Sequence, residues 1–434
     1  MSWLSLTGTP TLCLALLALA AISVATMLCW GRLGRLGIGQ WPARAALLVT
    51  GQLAAVLVTA LVLNDAFVFY QSWSELAGRH PSNSQPAAAA GRLDRRWQFQ
   101  IAADYRAGKG TMVPLTVPGT RGNVHGEVAT VYLPPQYGDP AYRSRRFSVV
   151  ELLDGFPGGP STWVRRLHVA TVLDSLINSG RATPFVAVLP VQNVSSPRDA
   201  ECVNVAGGPA VDTYLSYDVR SAVEQAFRVS DSGAQWGALG YSTGGYCATD
   251  LAMRHPGLFA AAVSIAGYNA PAHDATTGNL FGRSHTATRL FSPSWLVRHQ
   301  DAAPLRLLLI STKADTGSYH AAVQLAAAAR PPLQVSTLTL PSGGHNFATF
   351  GAELPTAFGW LSQWLAMPLA PLPSVDGLLP STGVPPGSGL TVSAKTGRPA
   401  RCPAITAAQA AHLPSVSVPA RGCRPAHRTV RASG

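Results

Sequence analysis

From Val128 to Leu365, short apolar runs alternate with stretches of helical character. The runs are Val128–Leu133, Ser148–Leu153, Phe185–Leu189, Trp236–Leu239, Ala261–Ile265, Leu305–Ile310 and Val335–Leu340. Ser161–Asn178, Leu215–Phe227, Gly245–Arg254 and His320–Ala329 lie between them, and Glu353–Leu365 follows the last. Runs that are apolar without alternation suit strands covered on both faces. Strand and helix in turn imply a mainly parallel sheet with helices on both sides, an α/β fold. Ahead of this series, Met112–Leu133 holds two β-like segments around Pro118-Gly119-Thr120-Arg121-Gly122. It reads as an antiparallel edge added to the sheet.

One strand-to-helix junction carries a chemical signature. Trp236–Leu239 leads into Gly240-Tyr241-Ser242-Thr243-Gly244-Gly245 and then into the helical stretch. A Gly-x-Ser-x-Gly sequence in that context turns the chain sharply and presents the serine hydroxyl at the carboxyl edge of the sheet. Ser242 is therefore the candidate nucleophile. The amide of Thr243, at a helix start, is a candidate donor to an oxyanion. The alternative is an ordinary Gly/Ser turn.

A serine hydroxyl needs a general base. In sheets of this type the order is serine, acid, histidine, with both partners following strands. Leu305–Ile310 is followed by Asp315, and Val335–Leu340 by Gly343-Gly344-His345-Asn346-Phe347. His345 is expected to take the serine proton and return it to the leaving group. Asp315 is expected to hold the imidazole tautomer, although the same residue could instead cap the next helix. Asp301 is the reserve acid, and His285 and His320 are the reserve bases. A second oxyanion donor should lie after an earlier strand, and the amide of Phe156 in Asp154-Gly155-Phe156-Pro157-Gly158-Gly159 is the choice, with Asp154 read as structural.

At these motifs the chain resembles the putative-esterase family of α/β-hydrolases. That family includes the antigen 85 mycolyltransferases, S-formylglutathione hydrolase and enterochelin-type siderophore esterases. The matching pieces are Leu152-Leu153-Asp154-Gly155-Phe156, Gly240-Tyr241-Ser242-Thr243-Gly244-Gly245 and Gly343-Gly344-His345-Asn346-Phe347. The resemblance implies an α/β-hydrolase fold, serine chemistry on acyl esters, and an oxyanion hole formed by the amides of Phe156 and Thr243. The first piece is most similar to the antigen 85 branch, which uses a glutamate where this chain has Asp315.

The flanks differ in kind. Leu12–Trp30 and Ala45–Leu63 are uncharged 19-residue runs, each long enough to cross a ~30 Å hydrocarbon core. Arg32, Arg35 and Arg44 lie between them and Asp65 follows. The positive-inside rule puts that loop in the cytoplasm and the downstream domain outside. A signal peptide and a pair of core helices are the competing readings. Residues 1–70 thus read as a two-helix membrane anchor, 71–95 as a linker, and 96–366 as the catalytic domain. Residues 367–434 read as a Pro/Ala/Gly-rich tail with little independent structure. About half of the net charge of +12 falls in that tail, and no basic stripe with interleaved aromatics occurs elsewhere, so nucleic-acid binding is not expected. Cys202–Cys247 and Cys402–Cys423 are the favoured disulfides for an oxidising compartment; free thiols are the alternative. No metal or cofactor is expected.

The expected function is a serine esterase or acyltransferase at the outer face of the cell membrane, acting on a small-molecule, lipid or glycolipid acyl ester. An inactive hydrolase-fold module that binds the envelope, and a serine peptidase, are the other readings.

Overall fold

The computed structural model describes residues 9–33, 39–67, 93–195, 198–301 and 303–365, together with Leu6, Gly37 and Trp73. The C-terminal unit, 371–434, lies outside the described residues. So do most of the 71–95 linker and the Cys402–Cys423 pair.

Helices α1 (Thr9–Leu33) and α2 (Gln40–Phe67) extend beyond the two uncharged runs at both ends. Both are long and apolar enough to cross a membrane, and leucines such as Leu17 and Leu53 on them are exposed. They are two candidate membrane spans. Helix α3 (Arg95–Arg106) starts where Asp94 accepts a hydrogen bond from the Trp97 amide at 3.0 Å, a carboxylate cap that satisfies one orphan donor.

The sheet has eight strands: β1 (Thr111–Val117), β2 (Glu127–Leu133), β3 (Ser148–Leu153), β4 (Phe185–Leu189), β5 (Trp236–Tyr241), β6 (Ala261–Ile265), β7 (Arg306–Thr312) and β8 (Gln334–Leu340). Their order is β1-β2-β4-β3-β5-β6-β7-β8. β1 pairs antiparallel with β2, and β2 antiparallel with β4; all other pairings are parallel. The Met112–Leu133 segment thus forms the expected antiparallel edge. Pro114 is tolerated there because an outer strand pairs on one side only.

Strands β3, β4, β5 and β6 are buried along their whole length. Side chains alternate between two apolar clusters, one on each face. Val149, Trp236 and Ala238 join one cluster with Val223 of helix α6 (Arg220–Ala226) and Leu251 of α7 (Thr243–Arg254). Val150, Leu152 and Leu239 join the other with Leu173 of α5 (Val169–Asn178) and Phe358 of α11 (Phe347–Trp364). The expected α/β-hydrolase architecture is present, with α8 (His285–Leu290), α9 (Pro293–His299) and α10 (Thr316–Ala328) completing the layers.

The expected single helix over Ser161–Asn178 is two helices: α4 (Pro160–Arg165) and α5. His168 adopts a left-handed φ of 47° between them, which an α-helix cannot continue through. β8 is an edge strand with its side chains largely exposed.

Glu151 of β3 is one of several polar residues buried in this core, and neither of its carboxylate oxygens has a hydrogen-bond partner among the described residues. Burial pushes its pKa from 4.5 up to about 8, against the attraction of Arg220. A raised carboxyl pKa means the folded state holds a proton that the unfolded state has lost. Stability from this group therefore falls as pH rises from about 4.5 to 8 and is flat above. Glu151→Gln is expected to raise the unfolding temperature at pH 8 and to flatten its decline between pH 5 and 8, as followed by thermal unfolding in detergent. A variant with the same pH slope as the parent would contradict this.

Candidate active site

β5 ends at Tyr241 and α7 begins at Thr243, which leaves Ser242 alone to make the turn. It does so at φ 55°, ψ −124°, a conformation costly for a residue with a Cβ. Three hydrogen bonds hold it. The Ser242 amide donates to the Ile265 carbonyl at 2.9 Å, and its own carbonyl accepts from the amides of Gly245 and Tyr246 at 2.9 and 3.1 Å. The flanking glycines are steric requirements. A Cβ on Gly240 would lie 2.0 Å from the Gly244 carbonyl oxygen, and one on Gly244 would lie 2.1 Å from the carbonyl oxygen of Leu153.

His345 arrives on the loop from β8 to α11. Gly343 takes a φ of +117° there, and the Gly344 amide donates to Thr349 Oγ1 at 3.0 Å. Asn346 caps α11 by accepting from the Thr349 amide at 3.0 Å. The ring of Phe350 meets the imidazole edge-on, with centroids 5.3 Å apart. This loop sets His345 Nε2 2.8 Å from Ser242 Oγ, and His345 Nδ1 2.7 Å from Asp315 Oδ2.

Asp315 occupies the position before the first residue of α10, but its side chain makes no cap hydrogen bond there. The carboxylate is committed to the imidazole. Burial would raise its pKa, but hydrogen bonds from His345 and Ser318 outweigh burial and hold it below the ordinary value. The group stays ionised, as a partner for an imidazolium requires. Asp301, His285 and His320 are not drawn into this arrangement: they lie after α9, at the start of α8 and within α10.

The loop after β3 closes the other side. A Cβ on Gly155 would lie 3.1 Å from the Ser242 Cβ, so the backbone leading to the Phe156 amide runs against the serine. Gln192 and Asn193, just past β4, brace this loop. Gln192 Nε2 donates to the Asp154 carbonyl at 2.7 Å, and Asn193 Nδ2 to the Gly158 carbonyl at 3.0 Å. Asp154 is fully buried beneath the loop, and burial pushes its carboxyl up to about 8. Thr243 opens α7, so its amide is one of the helix's unpaired N-terminal donors.

Some groups here carry no motif. Gln192 and Asn193 sit at the carboxyl edge of the sheet, a positional signal of the kind that marked Asp315 and His345. Tyr268, just past β6, shares that positional signal, whereas Asp199 and Glu201, which gather with it around the Thr243 hydroxyl, come from a loop without one. The Cys202–Cys247 disulfide is formed and ties the loop bearing Asp199 and Glu201 to α7.

The family described as Putative esterase matches residues 127–361, which holds all of these groups. An uncharacterized protein of Corynebacterium glutamicum is 24% identical over 344 residues, spanning 75% of this chain and 80% of its own. Among solved structures, an S-formylglutathione hydrolase from Agrobacterium tumefaciens superimposes with a TM-score of 0.51 at 15% identity, covering 59% of this chain and 96% of its own. MPT51 of Mycobacterium tuberculosis gives 0.43 at 18% identity, covering 58% and 98%. The Agrobacterium likeness bears on the fold.

The contact between Gly244 and Leu153 is backbone against backbone and has no side chain to move aside. Gly244→Ala is expected to destabilise the folded domain by about 1–3 kcal/mol, read as a lowered unfolding temperature. An unchanged unfolding temperature would mean the strand-to-helix turn is looser than described.

Proposed function

The chain belongs to the putative esterase family of α/β-hydrolases, and from that premise we propose that it is a serine esterase or acyltransferase working through an acyl-enzyme on Ser242. The observation that carries this is the continuous hydrogen-bonded line from Ser242 Oγ through His345 to Asp315, with contacts of 2.8 and 2.7 Å.

Ser242 Oγ attacks the ester carbonyl as its proton passes to His345 Nε2. Asp315, accepting from Nδ1, steadies the imidazolium that results. Negative charge develops on the former carbonyl oxygen, where the amides of Thr243 and Phe156 receive it. Collapse breaks the bond to the alcohol, which leaves with the proton from Nε2. Water or an acceptor hydroxyl then repeats the sequence in reverse and frees the acid or the new ester. His345 keeps nearly half of its side chain exposed, so substrate reaches the line from solvent without a buried channel.

The two apolar helices supply the setting. With Arg32 and Arg44 at the facing ends of these helices and Arg35 between them, the positive-inside rule supports a catalytic domain on the outer face. The Cys202–Cys247 disulfide fits an oxidising compartment. A site held there faces acyl esters of lipids or glycolipids as well as small molecules.

Full-length protein in detergent, treated with a fluorophosphonate probe, is expected to be labelled, and Ser242→Ala is expected to lose both the label and p-nitrophenyl butyrate turnover. His345→Ala should lower kcat by about 10³-fold or more. Labelling that persists in a folded Ser242→Ala protein would refute the assignment.

A further inference from the structure

A second line of hydrogen bonds reaches the same turn from behind, and it ends on two buried acids. Tyr268 Oη lies 2.7 Å from both carboxylate oxygens of Glu201 and 3.1 Å from Thr243 Oγ1. Thr243 Oγ1 in turn lies 3.4 Å from Asp199 Oδ2, and the Glu201 amide donates to Asp199 Oδ1 at 2.8 Å. Asp199 and Glu201 are both almost fully buried. Their loop is pinned on two sides. The disulfide joins Cys202 to Cys247 of α7, and the Asp199 amide donates to the Thr276 carbonyl at 3.1 Å. Tyr268 is fixed by stacking on Tyr246 of α7 at 5.1 Å.

Each hydroxyl in this line has one proton to give. Tyr268 cannot donate to Glu201 and to Thr243 at once. We propose that Glu201 holds a proton and donates it to Tyr268, which donates to the Thr243 hydroxyl, which donates to the Asp199 carboxylate, so that the four groups position the first turn of α7 and its amide for the reaction at Ser242. Every hydroxyl then gives one hydrogen bond and receives one, and the single charge rests on Asp199, where the Glu201 amide also donates. If Glu201 loses its proton, Tyr268 turns toward the carboxylate and the Thr243 hydroxyl loses its donor. A second negative charge then stands behind an amide that must attract an oxyanion. These residues act through Thr243 and do not touch substrate. The inference rests on the esterase reading of Ser242.

The surroundings favour a retained proton. The titratable groups facing the pair are Asp154 after β3, Tyr246 and Asp250 on α7, Tyr268 after β6, and Asp274 in the following loop. None of these is a cation. The nearby Arg198 guanidinium is taken up by the carbonyls of Thr277 and Asn279. The Ala272 amide also faces Glu201. Burial, with the like charges of Asp199 and Asp274 adding to it, pushes Glu201 up to about 8. Burial pushes Asp199 to about 6, opposed by hydrogen bonds from the Glu201 amide and the Thr243 hydroxyl. Glu201 is the more strongly raised of the two acids, which accords with the hydrogen-bond order proposed.

The test is the pH dependence of kcat and KM for p-nitrophenyl butyrate with the full-length protein in detergent. Wild type is expected to lose kcat as pH rises through about 8, with KM little changed. Glu201→Gln, which can still accept and donate but cannot ionise, is expected to weaken that alkaline decline, leaving the part that Asp154 contributes. Tyr268→Phe is expected to lower kcat by about tenfold across the range, less than the ~10²–10³-fold for losing an oxyanion donor outright, with full fluorophosphonate labelling as a check on folding. If Tyr268→Phe does not fold, Thr243→Ser and Thr243→Val replace it: the serine should keep kcat within a few-fold, and the valine should lose it. The inference is overturned if Glu201→Gln keeps the wild-type pH profile, or if neither hydroxyl deletion changes kcat. If wild type neither turns over the ester nor takes the label at Ser242, the esterase reading itself has failed.

Discussion

The structure turns on one close approach between two backbones. The chain leaving β5 passes so near the end of β3 that Gly244 abuts the Leu153 carbonyl, with no room for a methyl group. Ser242 makes its left-handed turn beside this contact. The contact brings the loop carrying Phe156 against the serine and sets the start of α7 beneath it. A looser packing of β3 against β5 would separate the Ser242 hydroxyl from one of the two amides proposed to share an oxyanion. The fully buried strands and the apolar layers on both faces make that approach rigid. Hydrogen bonds from Gln192 and Asn193 keep the loop after β3 from relaxing.

Charge at the site is distributed by burial. Asp315, with part of its side chain in solvent and hydrogen bonds to its carboxylate, stays ionised. Asp154 and Glu201, buried on the other side of Ser242, are pushed toward their neutral forms. An ionised acid behind the imidazole favours the imidazolium. Neutral acids behind the amides would, on the proposed mechanism, avoid repelling an oxyanion. Carboxyl groups around one serine are thus held in opposite protonation states, set by solvent access and hydrogen bonding.

The parallel sheet was legible because its central strands are apolar without interruption, and the meeting of Ser242, Asp315 and His345 at one edge of it because each follows such a run. Asp315 shows the limit of that reading: a residue just ahead of a helix looks like a cap, and only the arrival of His345 from a distant loop shows its carboxylate taken up by the imidazole. The helix break at His168 was not legible, since Arg166–His168 carries neither glycine nor proline and the left-handed turn there is a tertiary effect. Short α8 and α9 have too few residues to show a period. Glu201 and Tyr268 had no motif to betray them, because their meeting at Thr243 depends on how two irregular loops pack. The Cys202–Cys247 bridge was legible from cysteine usage, but its service to those acids was not.

The most direct test of the central claim is a crystal structure of the protein after reaction with an acyl phosphonate. Phosphorus is expected on Ser242 Oγ, with the phosphonyl oxygen within hydrogen-bond distance of the amides of Thr243 and Phe156 and the imidazole of His345 still paired with Asp315. Phosphorus on another residue, or a phosphonyl oxygen facing away from both amides, would contradict the claim.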